Sequence, residues 1–225
     1  MITTRSARFD LPRRRSTPGF HRLAHGVSRL ALTCIARLDV QGLEHIPARG
    51  AFVGVMNHLS SLDPLVALAL MPVRPVTMFA AIEHRHDLIA GWALDRLGVI
   101  WIDRGEPGRH ALRIALNELG LGTIMGVAPE GTRSKTGALL EGKTGAAYLA
   151  TRANVPIVPA VLWGTEHTQY NLRQLKRTTV YVRVGEIIRL PEGRADAEKL
   201  RAYTDLIMRR LAAILPPEYR GAYGK

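Results

Sequence analysis

The stretch AFVGVMNHLSSLDPLVALALM, residues 51–71, places an apolar run, a polar turn and a second apolar run in direct succession. The run 51–56 is short and typical of a buried strand, and Pro64 favours the start of a helix over 64–71. Active sites in α/β proteins gather where strands end and helices begin. The polar turn between the two runs is therefore the first candidate for a functional site.

The same alternation continues along the chain. Five more short apolar runs predict strands, at 75–81, 99–102, 123–128, 156–163 and 179–185. Helical stretches follow at 87–97, 108–119 and 142–153, and a last helix is predicted over 195–214, before two prolines. Strands that alternate with helices predict an α/β fold, a single domain with a mostly parallel central sheet flanked by helices.

The N-terminal region is basic. Residues 1–30 hold seven arginines and one acid, so they carry +6 of the net charge of +12. We predict a flexible basic arm over 1–18 and an amphipathic helix over 19–38, where apolar residues recur at helical spacing. Periodicity does not distinguish a helix packed on the domain from one lying in a membrane interface, so both remain open. The main domain then spans 39–215, and 216–225 form a C-terminal tail.

Composition narrows the class of protein. A chain of 225 residues that is 47% apolar suits one domain with a sizeable core. The positive charge indicates an anionic partner, but aromatic residues make up only 6% and no nucleic-acid-binding motif is found, so no nucleic acid is expected. Cys34 is the single cysteine, which excludes a disulfide within the chain, and we expect it to be buried. No apolar run approaches the ~18 residues that span a bilayer.

The polar turn carries the first chemical candidates, His58 and Asp63, within Asn57-His58-Leu59-Ser60-Ser61-Leu62-Asp63-Pro64. A carboxylate beside an imidazole fixes its tautomer and stabilises the imidazolium that forms during general-base catalysis. Neither Ser60 nor Ser61 has the glycine-flanked setting of a nucleophilic serine, so the pair suits activation of a substrate hydroxyl. The alternatives are an Asp63 that only caps the helix and an ordinary loop histidine.

Two further clusters could bind an anion. Arg104 follows the strand 99–102 and can bind a phosphate through two hydrogen bonds. The alternative is a surface arginine paired with Asp103. Ala128-Pro129-Glu130-Gly131-Thr132-Arg133-Ser134 follows the strand 123–128. Its glycine permits a tight turn, and its threonine, backbone amides and arginine can hold phosphate oxygens. The alternative is an ordinary polar turn.

Several neighbours could complete such a site. Glu130 can orient one of the arginines or hydrogen-bond a ligand hydroxyl, and Lys143 can join from the start of the next helix. No set of His, Cys, Asp and Glu shows the spacing of metal ligands, so no metal is predicted.

Taken in order, these clusters resemble the phospholipid/glycerol acyltransferase family. The family's NHxxxxDP block is similar to 57–64, its glycine-to-arginine block to 98–104, its FPEGTRS block to 128–134, and its proline block to 155–164. The resemblance covers roughly 38–190. Ala128 stands where the family usually has phenylalanine, and the segment 82–97 is shorter and lacks a lysine often found there.

The resemblance implies a glycerol-3-phosphate acyltransferase-like fold, with 39–215 as the acyltransferase domain. It also implies transfer of a fatty acyl group from acyl-CoA or acyl-carrier-protein to the free hydroxyl of a lysophospholipid. The acyl-CoA or acyl-carrier-protein is a donor substrate and not a cofactor. The expected acceptor is 1-acylglycerol 3-phosphate, which gives phosphatidic acid. Alternatives are glycerol 3-phosphate, another lysophospholipid or a glycolipid and, outside the class, a nucleic-acid-binding protein or an acyl-thioester hydrolase.

The resemblance also assigns roles to residues. His58 is the expected base, oriented by Asp63. The acceptor phosphate is expected on Arg104, Gly131, Thr132 and Arg133, with support from Asn57, Glu130, Ser134 and Lys143. No cofactor is expected. The enzyme is expected at the cytoplasmic face of the cell membrane, bound peripherally to its anionic surface by the basic N-terminal region.

Overall fold

The computed structural model describes residues 16–103 and 108–224. Seven strands lie in these ranges: β1 (Ala36–Gln41), β2 (Val53–Met56), β3 (Val76–Ala81), β4 (Ile100–Ile102), β5 (Ile124–Val127), β6 (Ile157–Trp163) and β7 (Thr178–Val184). They form one sheet in the order β1-β7-β6-β2-β5-β3-β4. Every neighbouring pair is parallel except β6 and β7. The predicted mostly parallel sheet is confirmed.

Seven α-helices accompany the sheet in the described ranges: α1 (Pro18–Ile35), α2 (Asp63–Leu70), α3 (Leu88–Leu97), α4 (Arg109–Gly120), α5 (Gly145–Ala153), α6 (Thr168–Arg173) and α7 (Ala197–Ile214). Short 3-10 turns occur at Leu43–His45, Ile82–His86, Thr165–His167, Pro217–Tyr219 and Gly221–Tyr223. The sequence predicts six of these helices, α1 to α5 and α7, to within three residues at each end. It does not predict α6.

Helices cover both faces of the sheet. Successive side chains of a strand point to opposite faces, and on β6 Val161 joins one core cluster while Leu162 joins another. The first cluster includes side chains of α4, α5 and α7, and the second includes side chains of α1 and α2. Burial on both faces explains why the central strands are continuous apolar runs rather than alternating ones.

The central strand β2 positions the candidate site. It lies between β5 and β6, and Val53 pairs with Met125 on one side and with Ile157 on the other. Because all three strands are parallel, their carboxyl ends meet at one edge of the sheet. The segments that follow them, 57–63, 128–134 and 164–168, are thus brought together from distant parts of the sequence.

The N-terminal helix is shorter than the periodicity predicts. Helix α1 begins at Pro18, after the Thr17 side chain accepts the Phe20 N–H, and it ends at Ile35 rather than at residue 38. Ala36 instead begins β1, where it pairs with Thr178 of β7. This pairing replaces the last helical turn, because strand pairing and the burial of Ala36 overrule local periodicity.

Two other predictions concern Cys34 and the basic arm of the N-terminal region. Cys34 is exposed, so the prediction that it is buried is wrong. Most of the predicted basic arm, residues 1–15, lies outside the described residues, and Pro18 already belongs to α1. Within 16–103 and 108–224, no helix is both long and apolar enough to cross a bilayer.

Candidate active site

His58 lies two residues beyond the end of β2 and contacts Asp63. Its Nδ1 is 2.7 Å from Oδ2 of Asp63. The histidine side chain is 25% exposed, whereas the aspartate side chain is 0% exposed. An aspartate that accepts the Nδ1 proton fixes the imidazole in one tautomer, which leaves the Nε2 lone pair for a ligand. The sequence-predicted pair is thus brought together in the geometry of a base and its orienting carboxylate.

The Asp63 carboxylate has further hydrogen bonds. Its Oδ2 accepts the backbone N–H groups of Leu59 at 2.6 Å and Ser60 at 2.7 Å. Its Oδ1 accepts the hydroxyl of Thr165 at 2.6 Å. Four donors therefore compensate the burial of this carboxylate, which would otherwise be strongly unfavourable.

The interpretation of Asp63 as merely a helix cap is wrong. It is the first residue of α2, and the capping position belongs to Leu62, which makes no side-chain hydrogen bond there. The Asp63 carboxylate points back over the 57–63 turn, where it binds donors that precede it in the chain. Its position in the first helical turn is electrostatically favourable for a negative charge.

Asn57 fixes the start of the turn to the neighbouring strand. Its Nδ2 donates to the Leu162 carbonyl at 2.8 Å, and its Oδ1 accepts the Leu162 N–H at 2.9 Å. The side chain is buried, so both bonds are made away from water. The residue predicted as supporting therefore holds the end of β2, and with it His58, against β6.

Glu130 supports His58 from the other neighbouring strand. Its Oε1 accepts the His58 N–H at 3.1 Å, and its Oε2 accepts the Leu140 N–H at 2.8 Å. Burial raises the pKa of this carboxyl, and the two backbone hydrogen bonds oppose that rise. Both oxygens accept backbone N–H groups, so the carboxylate holds the His58 backbone against the loop that contains Leu140.

The turn after β5 closes against the histidine. Gly131 has a φ of 68°, a left-handed conformation that favours glycine, and its N–H donates to the Ala128 carbonyl at 3.0 Å. The Ser134 N–H donates to the His58 carbonyl at 2.8 Å. Thr132 and Arg133, just before Ser134, are exposed. The turn thus presents these two predicted phosphate-binding residues to solvent on a segment bonded to His58.

Two predicted site residues remain, Lys143 and Arg104. The N–H of Lys143 donates to the Pro129 carbonyl at 2.7 Å, which brings its backbone to the same turn, although α5 begins only at Gly145. Arg104 lies outside the described residues. In the described ranges, no group of three or more His, Cys, Asp and Glu side chains is arranged to hold a metal.

Sequence reasoning missed Thr165. This residue is buried, lies two positions beyond the end of β6, and donates to Asp63 across 102 residues of chain. One signal was available, since position 165 lies at the carboxyl end of a predicted strand, where active-site residues gather. The neighbouring proline block suggested core packing or the wall of an acyl channel, and it did not point to Thr165.

Comparison with known proteins finds a matching family and a similar fold. The family model named Acyltransferase matches residues 37–163, which include His58, Asp63 and the 128–134 turn. The crystal structure of the 1-acyl-sn-glycerophosphate acyltransferase PlsC from Thermotoga maritima superimposes with a TM-score of 0.67 at 28% identity. That similarity covers 83% of this chain and 76% of the other.

Curated relatives carry names of the same kind. Human 1-acyl-sn-glycerol-3-phosphate acyltransferase alpha is 40% identical over 129 residues, which are 56% of this chain and 45% of the relative. The chloroplastic 1-acyl-sn-glycerol-3-phosphate acyltransferase BAT2 of Brassica napus is 34% identical over 132 residues, 57% of this chain and 38% of the relative. The match thus spans less than half the length of these two relatives. The Acyltransferase family model matches more than half of the length of this chain, so this chain belongs to the acyltransferase family.

Proposed function

We propose that this protein transfers a fatty acyl group from a thioester to the hydroxyl of a lysophospholipid, with His58 as the general base. The observation that carries the proposal is the 2.7 Å contact between His58 Nδ1 and a fully buried Asp63. Among the described residues, no serine hydroxyl or cysteine thiol hydrogen-bonds the His58 ring. The arrangement therefore suits direct attack by a substrate hydroxyl rather than a covalent acyl-enzyme.

In the proposed reaction, Nε2 of His58 takes the proton of the acceptor hydroxyl while Asp63 holds the opposite side of the ring. The acceptor oxygen forms a bond to the thioester carbonyl carbon, which gives a tetrahedral oxyanion. Collapse of this intermediate breaks the carbon–sulfur bond, and the proton on Nε2 passes to the leaving sulfur. The products are the acylated lipid and a free thiol, and His58 is returned to its initial state.

The exposed turn after β5 is the proposed site for the acceptor's phosphate. Thr132 and Arg133 are exposed on the segment that bonds the His58 carbonyl through Ser134. A guanidinium and backbone amides are suited to a phosphate, and a phosphate held there would bring the adjacent glycerol hydroxyl close to His58. Arg104 is proposed as a second phosphate ligand.

The proposed acceptor is 1-acylglycerol 3-phosphate and the product phosphatidic acid, supported by the names of the relatives. The proposed donor is acyl-CoA or acyl-carrier-protein. Glycerol 3-phosphate, another lysophospholipid or a glycolipid are alternative acceptors. An acyl-thioester hydrolase is the alternative outside the class, and it would release fatty acid without any acceptor.

A membrane surface is the proposed location, because α1 presents apolar side chains to solvent. Leu23, Val27 and Leu30 recur at helical spacing and are 60%, 56% and 68% exposed. Trp92 of α3 is also exposed, and its ring contacts Phe20 of α1 edge-on at 5.7 Å. Arg22 and Arg29 are exposed on the same helix, which suits a surface of anionic lipid at the cytoplasmic face of the membrane.

The decisive experiment measures thiol release from a long-chain acyl-CoA with and without lysophosphatidic acid, in the wild type and in His58→Ala. Acceptor-dependent release that collapses in the variant is expected, since loss of a general base typically lowers the rate by ~10²–10⁴-fold. Full activity in His58→Ala would contradict the mechanism. Release that is independent of acceptor would favour the hydrolase, and an inactive wild type would redirect the assay to acyl-carrier-protein donors and other lysolipids.

Membrane binding is tested separately, by co-sedimentation with vesicles containing phosphatidylglycerol. The triple variant Leu23→Ser, Val27→Ser, Leu30→Ser is expected to bind about tenfold less than the wild type, because each change removes buried apolar area at the interface. Leu121→Ser is the control, since Leu121 is 60% exposed at the end of α4, in the helix group that covers the other face of the sheet. Equal binding of wild type and triple variant would contradict the proposed membrane surface.

A further inference from the structure

The C-terminal segment 216–224 contacts both parts of the structure that hold His58. It follows α7 as two short 3-10 turns, Pro217–Tyr219 and Gly221–Tyr223. On one side it bonds the loop 137–143, which follows the 128–134 turn. On the other side it bonds the turn that carries Thr165. One residue, Tyr219, makes both connections.

The first connection runs through the Tyr219 side chain. Its hydroxyl donates to Oε1 of Glu166 at 2.6 Å, and Oε2 of the same glutamate accepts the Gly164 N–H at 2.8 Å. Glu166 therefore ties the turn after β6 to the C-terminal segment. The next residue toward the N-terminus is Thr165, whose hydroxyl holds Asp63.

The second connection runs through the Tyr219 backbone. Its carbonyl accepts the Leu139 N–H at 2.9 Å. The adjacent residue, Leu140, donates its N–H to Glu130, and Glu130 in turn accepts the N–H of His58. The Tyr219 ring also lies against Gly137, where an added Cβ would meet it at 3.6 Å.

The contact with the loop allows little room. Gly221 has a φ of 54°, and a Cβ at this position would lie 2.2 Å from the Leu139 carbonyl oxygen. Only glycine permits this approach of segment 216–224 to the loop. A second bond nearby, from the Gly142 N–H to the Tyr223 hydroxyl at 3.2 Å, holds the same loop but does not reach the turn that carries Thr165.

We propose that Tyr219 is a positioning residue for His58, joining the two hydrogen-bonded paths that fix the histidine ring through Asp63 and its backbone through Glu130. Within the segment 216–224, Tyr219 is thus the residue that supports the catalytic pair. The kinetic consequence rests on the proposed function, whereas the effect on the His58 ring does not. The two can therefore be tested apart.

The variant Tyr219→Phe keeps the ring and the backbone bond but removes the hydroxyl that binds Glu166. The ring ¹⁵N shifts of His58, assigned by comparison with His58→Ala, report which nitrogen carries the proton. We expect a protonated Nδ1 in the wild type and a measurable population of the Nε2–H tautomer in Tyr219→Phe. Unchanged His58 shifts in a folded Tyr219→Phe would overturn the proposal, whether or not the protein is active on the substrates tested.

Tyr223→Phe is the matched control, because it removes another tyrosine hydroxyl of the same segment, one that bonds the loop 137–143 and not Glu166. It is expected to leave the His58 spectrum unchanged. If the wild type is active in the assay, Tyr219→Phe should lower kcat about threefold to tenfold, which corresponds to the loss of a hydrogen bond worth ~1 kcal/mol. The KM should change less than twofold. An equal loss of kcat in both variants would mean that the segment acts only through stability and would overturn the proposal.

Coupling is tested by combining Tyr219→Phe with Thr165→Val. If both act on the same aspartate, the double variant should be about as slow as the slower single variant rather than showing the product of the two losses. Fully multiplicative losses would contradict the side-chain path. Gly221→Ala probes the backbone path independently, and it should also broaden or shift the His58 ring signals; an unchanged spectrum would contradict that path.

Discussion

The hydroxyl of Thr165 donates to Oδ1 of Asp63 at 2.6 Å, joining the turn after β6 to the first residue of α2. Oδ2 of the same carboxylate is occupied by the His58 ring and by the amides of Leu59 and Ser60. Both oxygens of a fully buried carboxylate are thereby fixed. Rotation of Asp63 away from the imidazole would break the bond to Thr165.

Thr165→Val tests whether this bond supports activity. Valine has nearly the same shape but cannot donate, so the buried carboxylate loses a hydrogen bond of the charged kind, worth ~1.5–3 kcal/mol. We expect kcat to fall by about tenfold or more, with a smaller change in KM, in thiol-release kinetics. Thr165→Ser retains the hydroxyl and should recover most of the activity.

Thr168→Val is the matched control. Thr168 is also buried near the start of α6, and its hydroxyl has no hydrogen-bond partner among the described residues. Replacing a buried hydroxyl that lacks a partner is expected to leave kcat unchanged and the free energy of unfolding equal or higher by up to ~1 kcal/mol. A loss of activity as large as that of Thr165→Val would assign the effect to packing rather than to the Asp63 bond.

Asp63→Asn tests the orienting role of the carboxylate. An asparagine amide can present an N–H to Nδ1, which favours the tautomer whose Nε2 carries the proton and cannot act as a base. By analogy with the orienting aspartate of serine proteases, kcat should fall by ~10³–10⁴-fold. Steady-state kinetics with saturating acceptor measure the loss, and activity within tenfold of wild type would show that Asp63 does not determine the tautomer.

Local patterns were sufficient to predict six of the seven described strands, six of the seven described α-helices and the His58–Asp63 pair. Apolar runs and a proline signal are properties of short segments, and the two residues are separated by only five positions. The strand β1 was not predicted, because the helix periodicity of α1 continues into residues that pair with β7. The same holds for α6, which is only six residues long and has no strong periodic pattern.

The supporting parts of the site were harder to predict because they depend on tertiary neighbours. Thr165 and Glu130 reach His58 and Asp63 only because β6 and β5 flank β2 in the sheet. A strand order cannot be derived from strand positions alone. The motif around Glu130 suggested a bond to an arginine or to a ligand hydroxyl, and it gave no sign of the bonds to the backbone amides of His58 and Leu140.

Glu130 should impose a pH dependence on stability. Burial raises its pKa above the ordinary value of 4.5, so the folded protein binds more protons than the unfolded protein as the pH rises past that value. The contribution of Glu130 to the free energy of unfolding is therefore greatest at acidic pH and declines as the pH rises. Urea unfolding of wild type and Glu130→Gln from pH 4.5 to 7.5 should show the difference shifting in favour of the variant with rising pH. The opposite trend would mean that the two backbone hydrogen bonds outweigh burial.

His21 should impose the opposite dependence. It is buried on α1, its Nδ1 has no hydrogen-bond partner among the described residues, and burial lowers its pKa below the ordinary value of 6.5. The unfolded protein then binds more protons than the folded one near and below pH 6.5. The stability contributed by neutral His21 is present above that pH and is lost as the pH falls.

His21→Leu removes this titration while keeping an apolar side chain at the position. The free energy of unfolding of the wild type, measured in urea at pH 7.5 and 5.5, should fall more than that of the variant over the same interval. Groups that titrate in both proteins cancel in the comparison, so the excess loss in the wild type isolates His21. Parallel losses in the two proteins would show that α1 unpacks, or that water reaches the imidazole, before the histidine is protonated.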